Sequence, residues 1–181
     1  MSIVKSTQKW SFGLMMISAM FFAGTSFAAS DVVLTVANLI TNETYELTDD
    51  DLSSLEQVTV NTKNEFVDDV ATFMGPLARD VLVLLLTNED TGSDDTAITL
   101  LGNSDFETVT LLAANDYAID VPLDDFLNFN VIFATSQDGI KFSLRDKGPI
   151  WVIYPMTDNP ELQDRVYNDR LIWQLVKVSV K

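Results

Sequence analysis

Gly75-Pro76 followed by Leu77-Ala78-Arg79-Asp80-Val81-Leu82-Val83-Leu84-Leu85-Leu86 reads as a chain break and then a helix. The apolar residues of Leu77 to Leu86 cover most of a helical circumference, so this helix is predicted to lie inside the molecule. Its surroundings are β-like. Glu65 to Phe73 precedes it as a predicted strand, and Val58 to Thr62 (VTVNT) precedes that one. Asn88 to Thr96 (NEDTGSDDT) follows as a polar loop.

Further out the strand pattern continues. Asp31 to Asn38 alternates apolar and polar residues, and Thr44 to Leu47 returns after an Asn42-Glu43 turn. Thr48 or Asp49 caps a helical turn through Leu55, with Asp50 and Asp51 at its positive end. Glu107 to Ala113, Tyr117 to Val121 and Val131 to Thr135 are strand candidates. Asp138-Gly139 is a tight-turn dipeptide between Ile132-Phe133-Ala134 and Ile140-Lys141-Phe142. Ile150 to Tyr154 is a hydrophobic strand closed by Pro155, Asn159 to Asn168 holds one helical turn, and Leu171 to Val180 is a closing strand. Strands outnumber helices without alternating with them, so the class is α+β, with few helices.

The N-terminus carries an export pattern. Lys5 and Lys9 precede an apolar run from Trp10 to Phe22, and Ser26-Phe27-Ala28 places small residues where a signal peptidase needs them. Residues 1–28 are expected to be a signal peptide cleaved after Ala28, leaving one domain, 29–181, in a periplasm. No stable membrane insertion is expected after cleavage. The chain has no cysteine and no histidine, which removes the usual nucleophiles, proton shuttles and soft-metal ligands. Without Lys5 and Lys9, 27 carboxylates face nine basic residues, a net charge of −18. Residues 29–140 hold 22 of those carboxylates against Lys63 and Arg79 alone. Such a body repels nucleic acid and anionic lipid, so neither is an expected partner.

Four segments carry a resemblance. Phe73-Met74-Gly75-Pro76-Leu77-Ala78-Arg79-Asp80-Val81-Leu82 resembles an F-x-G-x-x-L-x-D-V-L motif, and Ala114-Asn115-Asp116-Tyr117 with Val121-Pro122-Leu123-Asp124-Asp125 resembles A-x-D-G-Y … I-P-L-x-D. Lys147 to Pro155 resembles G-x-P-x-R-L-V-V-P, and Arg170 to Val180 resembles R-x-V-K-W-L-x-x-I-x-V. All four patterns are those of the sulfite-oxidase-like, molybdopterin-binding domain of oxidoreductases, which this chain thereby resembles. The resemblance implies an α+β domain around a mixed, mainly antiparallel sheet, and molybdopterin as cofactor. Catalytic members hold molybdenum through a cysteine. The matching region here, Val58 to Glu65, offers Thr59, Asn61, Thr62 and Asn64 instead. Trp151 stands where the family has an arginine, Trp173 where it has a lysine, and Asp116 where it has a glycine.

These departures point away from catalysis while leaving an enzyme possible in principle; no catalytic residue, metal ligand or bound cofactor is expected. Trp151, Tyr154, Tyr167 and Trp173, with Arg145, Lys147 and Arg170, are expected to line a pocket for a flat or partly apolar ligand with an anionic group. Arg170 needs a partner such as Asp116 or Asp169. Asp116-Tyr117 supplies an acid and a phenol at a strand end; the pair reads as a hydrogen-bonded edge of the core rather than a catalytic pair, and both residues are counted among the candidate pocket residues. Asp49-Asp50-Asp51 and the Asn88 to Asp95 run lack EF-hand spacing and read as a cap and a solvated loop. Glu65, Asp68 and Asp69 read as a polar strand face. The favoured function is an exported, non-catalytic binding module for a small ligand or a periplasmic or membrane protein partner. The alternatives are a molybdopterin-dependent oxidoreductase, or a subunit of one, and a purely structural acidic protein.

Overall fold

The computed structural model describes residues 31–87 and 94–181. The expected signal peptide, and residues 88–93 of the expected polar loop, lie outside them. The chain is α+β, with mainly antiparallel sheets and few helices.

Strand β1 (Val32–Asn38) follows its alternating pattern, burying Leu34 and Val36. It turns through Asn42, whose φ of 63° suits an Asn, into β2 (Glu43–Thr48). Helix α1 (Asp49–Ser54) starts on a capping box: the Thr48 hydroxyl accepts from the Asp51 N–H at 3.2 Å, and the Asp51 carboxylate accepts from the Thr48 N–H at 2.8 Å. Strands β3 (Gln57–Thr62) and β4 (Ala71–Pro76) pair in antiparallel register. Helix α2 (Ala78–Thr87) is buried on nearly all sides, as its sequence requires.

Helix α3 (Asp94–Gly102) leads to β5 (Thr108–Ala113), β6 (Ala118–Pro122) and α4 (Leu123–Asn128). Then come β7 (Ile132–Ala134), β8 (Ser136–Gln137), β9 (Ile140–Lys141) and β10 (Trp151–Ile153). A 3-10 turn at Pro160–Gln163, the short α5 (Arg165–Asn168) and β11 (Leu175–Val180) complete the chain. A five-stranded sheet runs β2-β1-β11-β5-β6, in which only β1 and β11 are parallel. A four-stranded sheet runs β3-β4-β8-β9, and β7 and β10 form a separate antiparallel ribbon.

That ribbon explains why its strands read as continuous apolar runs. Val152 and Tyr154 face a large core with Val36, Leu82, Phe126 and Val178, while Trp151 and Ile153 face a smaller core with Val60, Phe73 and Ile132. Both faces are buried, so neither can be polar. The ribbon therefore carries side chains to two separate environments.

Several expectations need correction. Gly75-Pro76, expected as a break between the strand ending at Phe73 and the helix, forms the last two residues of strand β4. A Cβ on Gly75 would stand 2.1 Å from the Phe133 carbonyl oxygen, so only glycine lets the β7 backbone come so close. The predicted strand Glu65 to Phe73 begins only at Ala71. The Asp138-Gly139 hairpin is formed by β8 and β9 rather than by Ile132-Phe133-Ala134, with φ of 51° and 77° at the turn. The closing strand starts at Leu175, because Gln174 takes a φ of 54° and Trp173 makes only an isolated bridge to Trp151. The Asp94 to Thr96 part of the expected loop is helical, and α4 was not anticipated.

Candidate functional site

β10 divides the aromatic residues singled out in the sequence. Trp151 is fully buried, and its indole N–H donates to the Leu171 carbonyl at 3.1 Å. Phe73 meets its ring edge-on at 5.3 Å, and Phe142, Phe66 and Trp173 surround it at 6.0 to 6.3 Å between centroids. The Lys147 ammonium stands 4.2 Å from the Trp151 ring centroid, a cation–π contact. Trp173, carried beside Trp151 by their backbone bridge, remains open to solvent.

Three residues on, Tyr154 points to the opposite face. Its hydroxyl donates to Oδ2 of Asp125 at 2.8 Å, and the Arg170 guanidinium pairs with the same oxygen. Tyr167 packs against Tyr154 at 5.7 Å and under the Arg170 guanidinium at 4.9 Å. Burial, reinforced by the Asp125 charge, pushes the Tyr154 phenol well above its ordinary range, with Arg170 opposing in part. The partner expected for Arg170 was Asp116 or Asp169; it is Asp125, because α4 brings that carboxylate under the chain that leaves α5. Buried Tyr154 and Asp125 thus form a network with the half-buried Tyr167 and Arg170 at the large core.

The open side of Trp173 borders a cleft of about 250 Å³. Phe66, Tyr117 and Trp173 line it with Glu65, Asn115 and Asp169. Phe66 and Trp173 meet at 4.9 Å with ring planes 87° apart, forming a corner. The three aromatics are 38%, 49% and 37% exposed, far more than the buried rings behind them. Two local devices hold the rim. The Asn64 carboxamide oxygen accepts from the Phe66 N–H at 2.9 Å, and Thr157 accepts from the Lys63 N–H at 2.9 Å, fixing the chain that leaves β3. Asp116, exposed and outside the cleft lining, takes a φ of 66° in the β5–β6 turn, a conformation that favours glycine. Tyr117 follows, its hydroxyl donating to the Asp169 carbonyl at 3.4 Å.

A second cleft, of about 490 Å³, shares Glu65 and Asn168 with the first and is lined also by Lys63, Asn64, Met156 and Thr157. Asn64 is 6% exposed, and its side-chain nitrogen has no hydrogen-bond partner. Among the described residues no three carboxylates converge closely enough to hold a metal ion, and no helix is long and apolar enough to cross a membrane.

The structure therefore brings together Tyr117 and Trp173 from the sequence-derived set, with Trp151 and Lys147 directly behind them. It separates Tyr154, Tyr167 and Arg170, which lie on the other face of β10, and Arg145, which is exposed in the turn before Lys147. Phe66 was missed. Its signal was an aromatic set between Glu65 and Asp68-Asp69, which a polar strand face does not explain. Asp125 was missed as well, because its partners lie 29 and 45 residues away. Comparison with known proteins adds no family: no family model and no curated protein matches this chain.

Proposed function

We propose that this protein is an exported, non-catalytic binding module on a sulfite-oxidase-like scaffold, and that the Phe66–Trp173 cleft takes its small ligand. The observation that carries this reading is the corner of half-exposed rings, Phe66, Tyr117 and Trp173, around about 250 Å³ of open space. Aromatic side chains gain by burial, and exposing three together in one concave place leaves apolar surface that a ligand covers. A flat ring fits such a corner, stacking on one face and meeting the other at its edge.

An anionic group on the ligand has less support. Arg170 is taken up by Asp125, and neither Arg145 nor Lys147 lines the cleft. The same donor set argues against molybdopterin. The chain has no thiolate to offer, and the cleft that borders the cysteine-equivalent region presents Glu65 and Asp169 where a phosphate-bearing pterin needs cations. Lys63 in the neighbouring cleft is a single counter-charge. The residues present do not fit that group.

A screen of flat aromatic fragments by ligand-observed NMR tests the proposal. Fragments that bind the wild type and are released by Trp173→Ala, with the melting temperature kept, are expected. Fragments that bind both proteins equally, or none that binds at all, would contradict it.

A further inference from the structure

We infer that the ligand of the Phe66–Trp173 cleft is an organic cation, a protonated or quaternary ammonium. This rests on the cleft being the binding site proposed above and adds the charge of its ligand. Three observations carry it. First, two rings meet at 87° and a third, Tyr117, lines the same space, so several π-faces converge. Ring faces carry negative electrostatic potential and attract an ammonium most strongly where water is partly excluded. Second, Glu65 and Asp169 line the cleft, and no lysine or arginine does. Among the described residues neither carboxylate is held in an ion pair, so both remain available to a cation. Third, a cation–π contact already exists within the same aromatic cluster: the Lys147 ammonium stands 4.2 Å from the centroid of Trp151, whose ring lies 6.3 Å from that of Trp173.

The wider field acts in the same direction. Residues 29–140, which include Glu65, Phe66 and Tyr117, hold 22 carboxylates against two basic residues. Such a field concentrates cations near the surface and repels anions, more strongly at low salt. A carboxylate or phosphate ligand would meet Glu65 and Asp169 with no lysine or arginine in the lining of the cleft. An ammonium meets ring faces, carboxylates and the amides of Asn115 and Asn168, which orient without adding charge.

Choline, its neutral isostere 3,3-dimethylbutan-1-ol, and benzoate separate the possibilities. Each is titrated by calorimetry into protein purified from its native source, at low and at physiological salt. Choline is expected to bind at least tenfold more tightly than the isostere, with an affinity that falls as salt rises. Glu65→Gln and Asp169→Asn are each expected to weaken choline severalfold and leave the isostere unchanged; Trp173→Ala weakens both. Unfolding curves of all three variants verify the fold. Equal binding of choline and the isostere, lost in Trp173→Ala, would overturn the cation while leaving the binding module intact. Preferred binding of benzoate would overturn it in the same way. Choline bound equally by wild type and Trp173→Ala would place the cation elsewhere and overturn the assignment, as would no binding of choline.

Discussion

Arg170 and Tyr154 share one acceptor, Oδ2 of Asp125, beneath the large core. The sequence presents Arg170 and Tyr154 as the lining of a pocket, yet the fold uses them with Asp125 as a clamp between α4, β10 and the chain after α5. Arg170→Ala is therefore expected to cost about 3 kcal/mol, since it strands a buried carboxylate. Replacing Arg170 and Asp125 together with Met and Leu recovers much of that loss. Urea unfolding of the single and double variants measures this. A single variant as stable as wild type, with ligand binding lost, would return Arg170 to the binding site.

Tyr154 makes the clamp sensitive to alkali. Its phenol stays neutral in the fold to higher pH than in the unfolded chain, first because it is buried and then because Asp125 faces it. A raised value stabilises fully below the ordinary phenol value of about 10, and that stabilisation drains away as pH climbs above it through the folded value. Stability measured from pH 8 to pH 11 is expected to fall more steeply for wild type than for Tyr154→Phe. Parallel curves would contradict this.

The opposite sign holds at the start of α1. The Thr48 hydroxyl, and then its backbone N–H, hold the Asp51 carboxyl below its usual value. That contribution is present above about pH 4 and is lost as pH falls through the lowered value. Asp51 is exposed, so the effect is small. Thr48→Ala is expected to cost about 1 kcal/mol at pH 7, and the difference from wild type should shrink at pH 2 to 3, as seen by urea unfolding. A difference independent of pH would show that Asp51 does not share the cap.

Gly75 tests the crossing of β4 and β7. With the Phe133 oxygen 2.1 Å and the Ala134 Cα 2.7 Å from an added Cβ, the obstacle is backbone and cannot swing aside. Gly75→Ala is expected to cost about 3 kcal/mol in thermal or urea unfolding. A cost no larger than that of an exposed Gly139→Ala would mean the strands are further apart.

What was legible in the sequence was what local chemistry decides. The Thr48 cap, the alternation of β1 and the all-round apolar α2 need only their own residues. Helix α4 was hidden because Pro122 at its start makes no side-chain cap bond and its six residues are too few for a periodic pattern. The candidate cleft was half legible. Trp151 and Trp173 are the same residue type in similar apolar runs, and nothing local says that one is sealed and the other open. The bridge between them and the positive φ at Gln174 decide it, and both depend on the tertiary fold. Arg170 shows the same limit, since its partner stands 45 residues away.

The cleft itself is tested most directly by two indole resonances. In a ¹⁵N-resolved spectrum, titration with the tightest-binding fragment is expected to shift the Trp173 indole N–H strongly and saturably. The Trp151 indole N–H, held by the Leu171 carbonyl, should move far less. A Trp173 signal that stays fixed while the fragment demonstrably binds would contradict the site.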